Sequence, residues 1–225
     1  MPFFRVASKL VYFAHVPKCA GSAIENYVGA RFGTVAFLDR FYLSQPMAAR
    51  WSKSSPQHID AASLQRLIPL NLFDAMFAVV RHPATRLVSV YRFQRDIERS
   101  IPSHQAFPDW LHGLAEKRQA NPFVYDNHIR PMSDLVPDNA KVFRLEDGLD
   151  SVVAWLDDLA GTVDGPRAVP IVNKSSAAQE GRAVRPSDDD LRLIAEIFAV
   201  DFVRFGYGGL ASPPPSDDAR SDHET

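Results

Sequence analysis

The chain has 225 residues, 46% hydrophobic and 23% charged, the balance of an ordinary globular protein with room for a full core. A formal net charge of −2 removes any bulk electrostatic case for nucleic acid or an anionic membrane surface, while leaving room for a local basic cleft. A single cysteine, Cys19, excludes an intrachain disulfide, and apolar runs such as Ala75 to Val80 are far too short to span a bilayer.

In chain order, Leu10 to Ala14 reads as a buried strand, rich in β-branched and aromatic residues. His15 and Lys18 then interrupt the apolar stretch where a signal peptide would continue, so the expected location is cytoplasmic. Ser22 caps or opens a helix through about Ala30, with Glu25 in its first turns. Residues 33–57 have no clean period and read as connecting loop with short helix. A short helix is expected over Ala61–Leu67, then a second buried strand in Asp74-Ala-Met-Phe-Ala-Val-Val-Arg81, of the parallel-sheet kind. Pro83 occupies a first helical position, and that helix is predicted to reach about Glu98.

Phe107, Trp110, Leu111 and Leu114 mark an amphipathic helix, and Ala140 to Leu145 a third strand. Val152, Val153, Leu156 and Leu159 mark the helix after it. Ser187 caps a final helix, with Asp188, Asp189 and Asp190 in its first turn and a stripe of Leu191, Ile194, Ala195, Phe198 and Phe202. Strands alternating with helices predict an α/β fold with a central parallel sheet flanked by helices. One domain is expected over residues 1–210, followed by a disordered polar tail over 211–225.

The turn after the first strand carries Pro17, Lys18, Cys19, Ala20, Gly21 and Ser22. A strand-to-helix turn gathers free backbone N–H groups and the positive end of a helix dipole, which favours an anion. Gly21 lets the backbone come close, Ser22 adds a hydroxyl and Lys18 a mobile cation. A nucleotide-kinase loop would place lysine after its last glycine, and no Gly-Lys dipeptide occurs here. Arg81, not a magnesium-binding acid, ends the second strand. The pattern suits an anion held by cations with no metal, although a plain tight turn with an exposed lysine accounts for it equally well.

A second anchor follows. Arg81 lies at the carboxyl end of a strand, where α/β sheets place their ligand crevice, and Ser89 lies on the next helix. Arginine's planar fork grips phosphate with two bonds. Taken alone, an ion-paired surface arginine and a helix serine explain these residues too. Together the motifs define two anion sites, which a ligand with phosphate at both its 5′ and 3′ ends would fill.

With these residues the chain resembles the PAPS-dependent sulfotransferases, and most of all the carbohydrate enzymes that include the heparan 2-O group and bacterial relatives. The resemblance covers most of residues 10–207. It implies a three-layer, P-loop-type fold and a donor, 3′-phosphoadenosine 5′-phosphosulfate (PAPS), used without metal. Residues 17 to 22 would hold the 5′-phosphosulfate in a P-K-x-x-G-[ST] motif. Arg81, Pro83, Arg86, Ser89 and Tyr91 match the motif that holds the 3′-phosphate, and Lys174 in a late polar loop would reach the same phosphate. The implied acceptor is a carbohydrate hydroxyl, or another small molecule's. Cys19-Ala20 departs from the Thr-Gly or Ala-Gly frequent in relatives; a reactive thiol is one account of Cys19, and a small residue filling the turn is the plainer one.

Sulfuryl transfer to a hydroxyl needs a base, and histidine is the usual choice near neutral pH. His58 is the candidate, because it stands where the family carries a Gly-His motif, although Gln57 replaces the glycine. His128 is held in reserve, His15 could line the site, and His82 is expected to face outward. Lys18 would stabilise charge on the departing phosphate oxygen. Glu146-Asp147 reads as a capping turn, not a metal pair. Two other functions stay open: a kinase-like phosphotransferase of the same fold, and a nucleotide-binding module without catalysis. No nucleic-acid partner and no integral membrane segment are expected.

Overall fold

The computed structural model describes residues 2–170 and 184–208. Within them, β1 (Phe3–Val6), β2 (Lys9–Ala14), β3 (Ala75–Val80) and β4 (Lys141–Arg144) lie side by side in chain order. The helices are α1 (Gly21–Phe32), α2 (Ala61–Leu67), α3 (Pro83–Arg92), α4 (Phe107–His112), α5 (Leu114–Ala120), α6 (Asp150–Ala160), α7 (Asp188–Ile197) and α8 (Ala199–Arg204). β2 and β3 pair in parallel with Phe13 opposite Phe77, and β3 and β4 in parallel with Val79 opposite Phe143. β1 is an addition to the strands expected from the sequence. It pairs antiparallel with β2, Phe3 opposite Tyr12, so the sheet is mostly but not wholly parallel.

Successive strand side chains point to opposite faces, so each strand feeds two cores. Tyr12, Ala14, Met76 and Ala78 pack with Ile59, with Leu64 of α2, and with Met132, Leu135 and Phe205. Val11, Phe13, Phe77 and Val79 pack on the other face with Ile24, Tyr27 and Val28 of α1 and with Val152 and Leu156 of α6. Beyond the sheet, Leu87 and Val90 of α3 meet Trp110, Leu114, Ile194 and Phe198.

Three long helices expected from periodicity are interrupted. After α3 the backbone widens into a π turn, Phe93–Ile97, which redirects Phe93 and Gln94. Single π turns inside helices occur often at functional sites. Gly113 separates α4 from α5. The final helix breaks at buried Phe198, and in α8 fully buried Asp201 accepts the N–H groups of Met132 and Ser133, each at 2.8 Å. No helix among the described residues is long and apolar enough to cross a membrane. Lys174 and the expected tail lie outside the described residues.

Candidate active site

β2 delivers the chain into a tight turn in which Lys18 and Ala20 adopt left-handed backbone, φ 66° and 62°. α1 begins immediately after, and among the described residues the N–H groups of Ala20, Gly21 and Ser22 have no acceptor. Turns of this kind form concave nests of N–H groups that suit an anion. Gly21 has a further reason to be glycine. A Cβ there would lie 1.9 Å from Nε2 of His15, so the imidazole occupies the space a side chain would need. Cys19 is buried, its thiol pushed up to about 12 chiefly by burial, and it serves as turn filling and not as a nucleophile.

Lys18 is half-buried, its Nζ 4.1 Å from the centre of the Phe93 ring that the π turn presents. Burial, and then the positive charge of Arg81, pull its ammonium down to about 8. A bound anion would relieve that repulsion on Lys18. Arg81 is oriented by the following helix, its Nε donating to Thr85 Oγ1 at 3.2 Å. The half-buried hydroxyls of Ser22 and Ser89 bond no other described group.

Glu146, at the tip of β4, accepts the His82 N–H at 2.7 Å and the Tyr207 hydroxyl at 3.1 Å. It therefore fixes the backbone on which Arg81 stands. His82 does not face outward as expected. It is buried, its Nδ1 accepts the Ala84 N–H at 3.3 Å, and its ring stands edge-on to Phe202 and Tyr207. Arg86 is fully buried and ties two parts of the site together, donating from Nε to the Pro17 carbonyl at 3.1 Å and from Nη2 to the His128 carbonyl at 2.9 Å. Tyr91 turns away, its hydroxyl donating to the Gln105 carbonyl at 2.5 Å.

Three buried imidazoles adjoin this turn. The His58 ring centre lies 4.7 Å from that of His15 and 5.1 Å from that of His128, which in turn is 5.3 Å from Phe93. Their hydrogen bonds separate their roles. His15 Nδ1 donates to Glu25 at 2.5 Å, leaving Nε2 against Gly21. Burial holds its pKa below the ordinary histidine value. Burial pushes the Glu25 carboxyl up, but the His15 bond and the nearby His58 and Arg40 charges outweigh it and hold it low. A neutral imidazole donating to a carboxylate satisfies both.

His128 Nδ1 accepts from the Gln94 amide at 3.0 Å, so its remaining ring nitrogen carries the proton. Burial, then the charge of His58, push His128 well down and keep it neutral. His58 instead gives Nδ1–H to Asp126 Oδ2 at 2.6 Å. Its Nε2 makes no bond among the described residues.

Asp126 is a site residue that the sequence reading does not single out. It also takes the Ser55 N–H and hydroxyl, both at 2.6 Å. Burial pushes its carboxyl up, but the His58 charge and the His58 and Ser55 hydrogen bonds hold it well below the usual carboxylate range. The backbone that aims it is unusual, since Tyr125, Asp126 and Asn127 are all left-handed at φ 54°, 54° and 65°. Asn127 secures the turn by donating from Nδ2 to the His58 carbonyl at 2.8 Å. Aspartate and asparagine tolerate this backbone best among residues with a Cβ, so the Asp-Asn pair was the available signal.

Two cavities lie outside the turn over residues 17–22. One of about 520 Å³ is lined by Arg144, Arg204 and Asp147 near the β4 edge. The other, about 650 Å³, is lined by Asp60, Arg66, Phe123 and Arg130, on the segments that carry His58 and Asp126. No cluster of three or more metal-ligating side chains occurs among the described residues. A family model described as the sulfotransferase family matches residues 2–208. Neither a curated protein nor a solved structure matches the chain.

Proposed function

The chain belongs to the sulfotransferase family, and from that premise we propose that it moves the sulfuryl group of PAPS to an acceptor hydroxyl, on a carbohydrate. The observation that carries this reading is the meeting of two devices in one place. His58, backed by Asp126, stands one ring away from His128, whose neighbour Phe93 lies under Lys18. A base for the acceptor and a cation for the leaving group therefore stand at the two ends of one short row of rings.

In the proposed reaction, His58 Nε2 takes the acceptor proton as the acceptor oxygen forms its bond to sulfur. The bond from sulfur to the 5′-phosphate oxygen breaks, and its electron pair stays on that oxygen. Lys18 and the N–H groups of Ala20 to Ser22 offset the charge growing there, in the way preorganised donors lower such barriers. Asp126 keeps His58 in the correct tautomer and stabilises the imidazolium that forms. Arg81 and Ser89, joined by Lys174, position the 3′-phosphate. In this reading His128, whose Nδ1 bonds Gln94, is not the base.

The family resemblance to the heparan 2-O group is the reason for proposing a carbohydrate acceptor, and the P-loop-type assignment rests on the same resemblance. The 650 Å³ cavity lined by Asp60, Phe123 and two arginines is the room this reading gives to the acceptor. Calorimetric titration of 3′,5′-diphosphoadenosine against 5′-AMP, in EDTA, tests the donor half. The 3′-phosphate should tighten binding by at least about tenfold, the effect of one charge-assisted bond. Equal affinities would remove the second anion site.

A further inference from the structure

The loop between α1 and His58 is built inside out. Phe41 and Met47 are 78% and 83% exposed, Trp51 53%, and Phe37 and Leu43 44% each. Several of its polar side chains bond its own backbone instead. Tyr42 is buried, its hydroxyl holding the Ser52 N–H at 2.5 Å. Asp39 accepts the Phe41 N–H at 3.0 Å, and Arg50 donates to the carbonyls of Leu43 and Gln45. Ala36 pairs with Phe3 at the edge of the sheet, and the Trp51 ring stands edge-on to Phe37 and Tyr42. A loop whose backbone is satisfied by its own side chains while its large apolar groups face water is shaped to meet an apolar phase.

The charge around those groups selects the phase. Residues 36–53 carry three cations, Arg40, Arg50 and Lys53, against one anion, Asp39, on a chain whose overall formal charge is −2. Exposed tryptophan and phenylalanine with basic neighbours is the composition that lodges at the headgroup level of anionic bilayers. Both ends of the loop reach the site described above. Arg40 lies 3.9 Å from Glu25, the partner of His15, and Lys53 lies 5.4 Å from the ring of Phe123, three residues before Asp126.

We propose that this face docks the protein on an anionic lipid bilayer. The loop seats Phe41, Met47 and Trp51 among the headgroups, and docking brings His58 to the lipid surface. Resting on the sulfotransferase reading, the second half of the inference is that the acceptor hydroxyl belongs to the headgroup of a membrane amphiphile and not to a freely dissolved molecule.

Vesicle flotation tests the docking without reference to catalysis. The full chain is mixed with phosphatidylcholine vesicles with or without phosphatidylglycerol. Partition onto the anionic vesicles should be on the order of 30-fold stronger, since each basic residue near such a surface contributes about a factor of five and the loop's excess is two. Emission from Trp51 should shift to the blue on binding, and Trp51→Phe should remove the shift, because Trp110 is fully buried and half-buried Trp155 packs on Phe77 and Phe143, away from the loop. The triple variant Phe41→Ser, Met47→Ser, Trp51→Ser should stay with the soluble fraction while its affinity for 3′,5′-diphosphoadenosine is unchanged.

Docking is overturned if the wild-type chain ignores anionic vesicles, or if the triple variant floats as well as the wild type. Concentration-dependent dimerisation lost in the triple variant, without vesicle binding, would give the face to a second copy of the chain. Failure to bind 3′,5′-diphosphoadenosine would sink the donor reading and leave the vesicle result standing. If docking holds, labelled sulfate from PAPS should appear in a lipid-extractable product; label confined to water-soluble glycans would overturn the acceptor half.

Discussion

Asp126→Asn keeps the size of a side chain that receives three donors at 2.6 Å and removes its charge. Two of those bonds, from Ser55, hold the turn in place and are the same before and during reaction. The third changes, because His58 becomes a cation as it takes the acceptor proton. One charge-assisted bond contributes about 1.5–3 kcal/mol. If that contribution is realised in the transition state, kcat should fall roughly 10- to 150-fold, at about 1.36 kcal/mol per decade. The assay is the initial rate of ³⁵S transfer from PAPS, with calorimetry showing unchanged affinity for 3′,5′-diphosphoadenosine.

A disturbed fold could imitate that loss, so the same substitution is repeated in a His58→Ala background, whose own loss should be about 10²- to 10⁴-fold. Residues acting as a unit are strongly non-additive, and Asp126→Asn should then cost almost nothing further. A single variant near the wild-type rate would refute the reasoning. So would one whose cost is undiminished without His58. Stability gives an independent sign: the Asp126 carboxyl is held low in the fold, so its contribution is present above about pH 4, the ordinary aspartate range, and is lost as pH falls below it. Acid unfolding of the wild type beside Asp126→Asn reads that sign directly, and the variant's stability curve should be the flatter of the two in acid.

Three further outcomes follow from the phosphate side. Because the Lys18 ammonium is pulled down to about 8, affinity for 3′,5′-diphosphoadenosine should weaken as pH rises through that value, and Lys18→Arg should flatten the profile; a wild-type affinity independent of pH across that range would contradict it. Arg81→Ala should cost PAPS about 1.5–3 kcal/mol and spare adenosine 5′-phosphosulfate, which lacks the 3′-phosphate, so a variant that keeps the full preference would place that phosphate elsewhere. Gly21→Ala should destabilise the fold by about 1–3 kcal/mol in urea denaturation, with partial relief from His15→Ala, and an unshifted midpoint would show that the imidazole does not fill that space.

The turn over residues 17–22 was legible as a strand-to-helix turn because its signal is local: strand, turn and helix start lie within a dozen residues. β3 and α2 were equally plain, the first as a continuous apolar run and the second with Asp60 accepting the Ser63 N–H at its start. β1 escaped notice because its hairpin turns through Ala7, left-handed at φ 52°, without the glycine or asparagine that usually announces such a turn. The π turn carries no proline or glycine, so periodicity read straight through Phe93 and Gln94. Asp126 lies 68 residues from His58, and what joins them is tertiary structure. His82, inside the Arg81 motif, was expected to face outward; the strand end packs it against Phe202 and Tyr207 and buries it.

Sulfuryl transfer itself is tested by incubating the chain in EDTA with ³⁵S-labelled PAPS, and in a parallel arm with magnesium and γ-³²P-labelled ATP, over one panel of glycans and anionic lipid extracts. The account expects ³⁵S in an acceptor product, abolished by Lys18→Ala and His58→Ala, and no ³²P transfer in the parallel arm. Tight 3′,5′-diphosphoadenosine binding with no ³⁵S product on any acceptor would favour a nucleotide-binding module without catalysis, and ³²P transfer in place of ³⁵S would contradict the account outright.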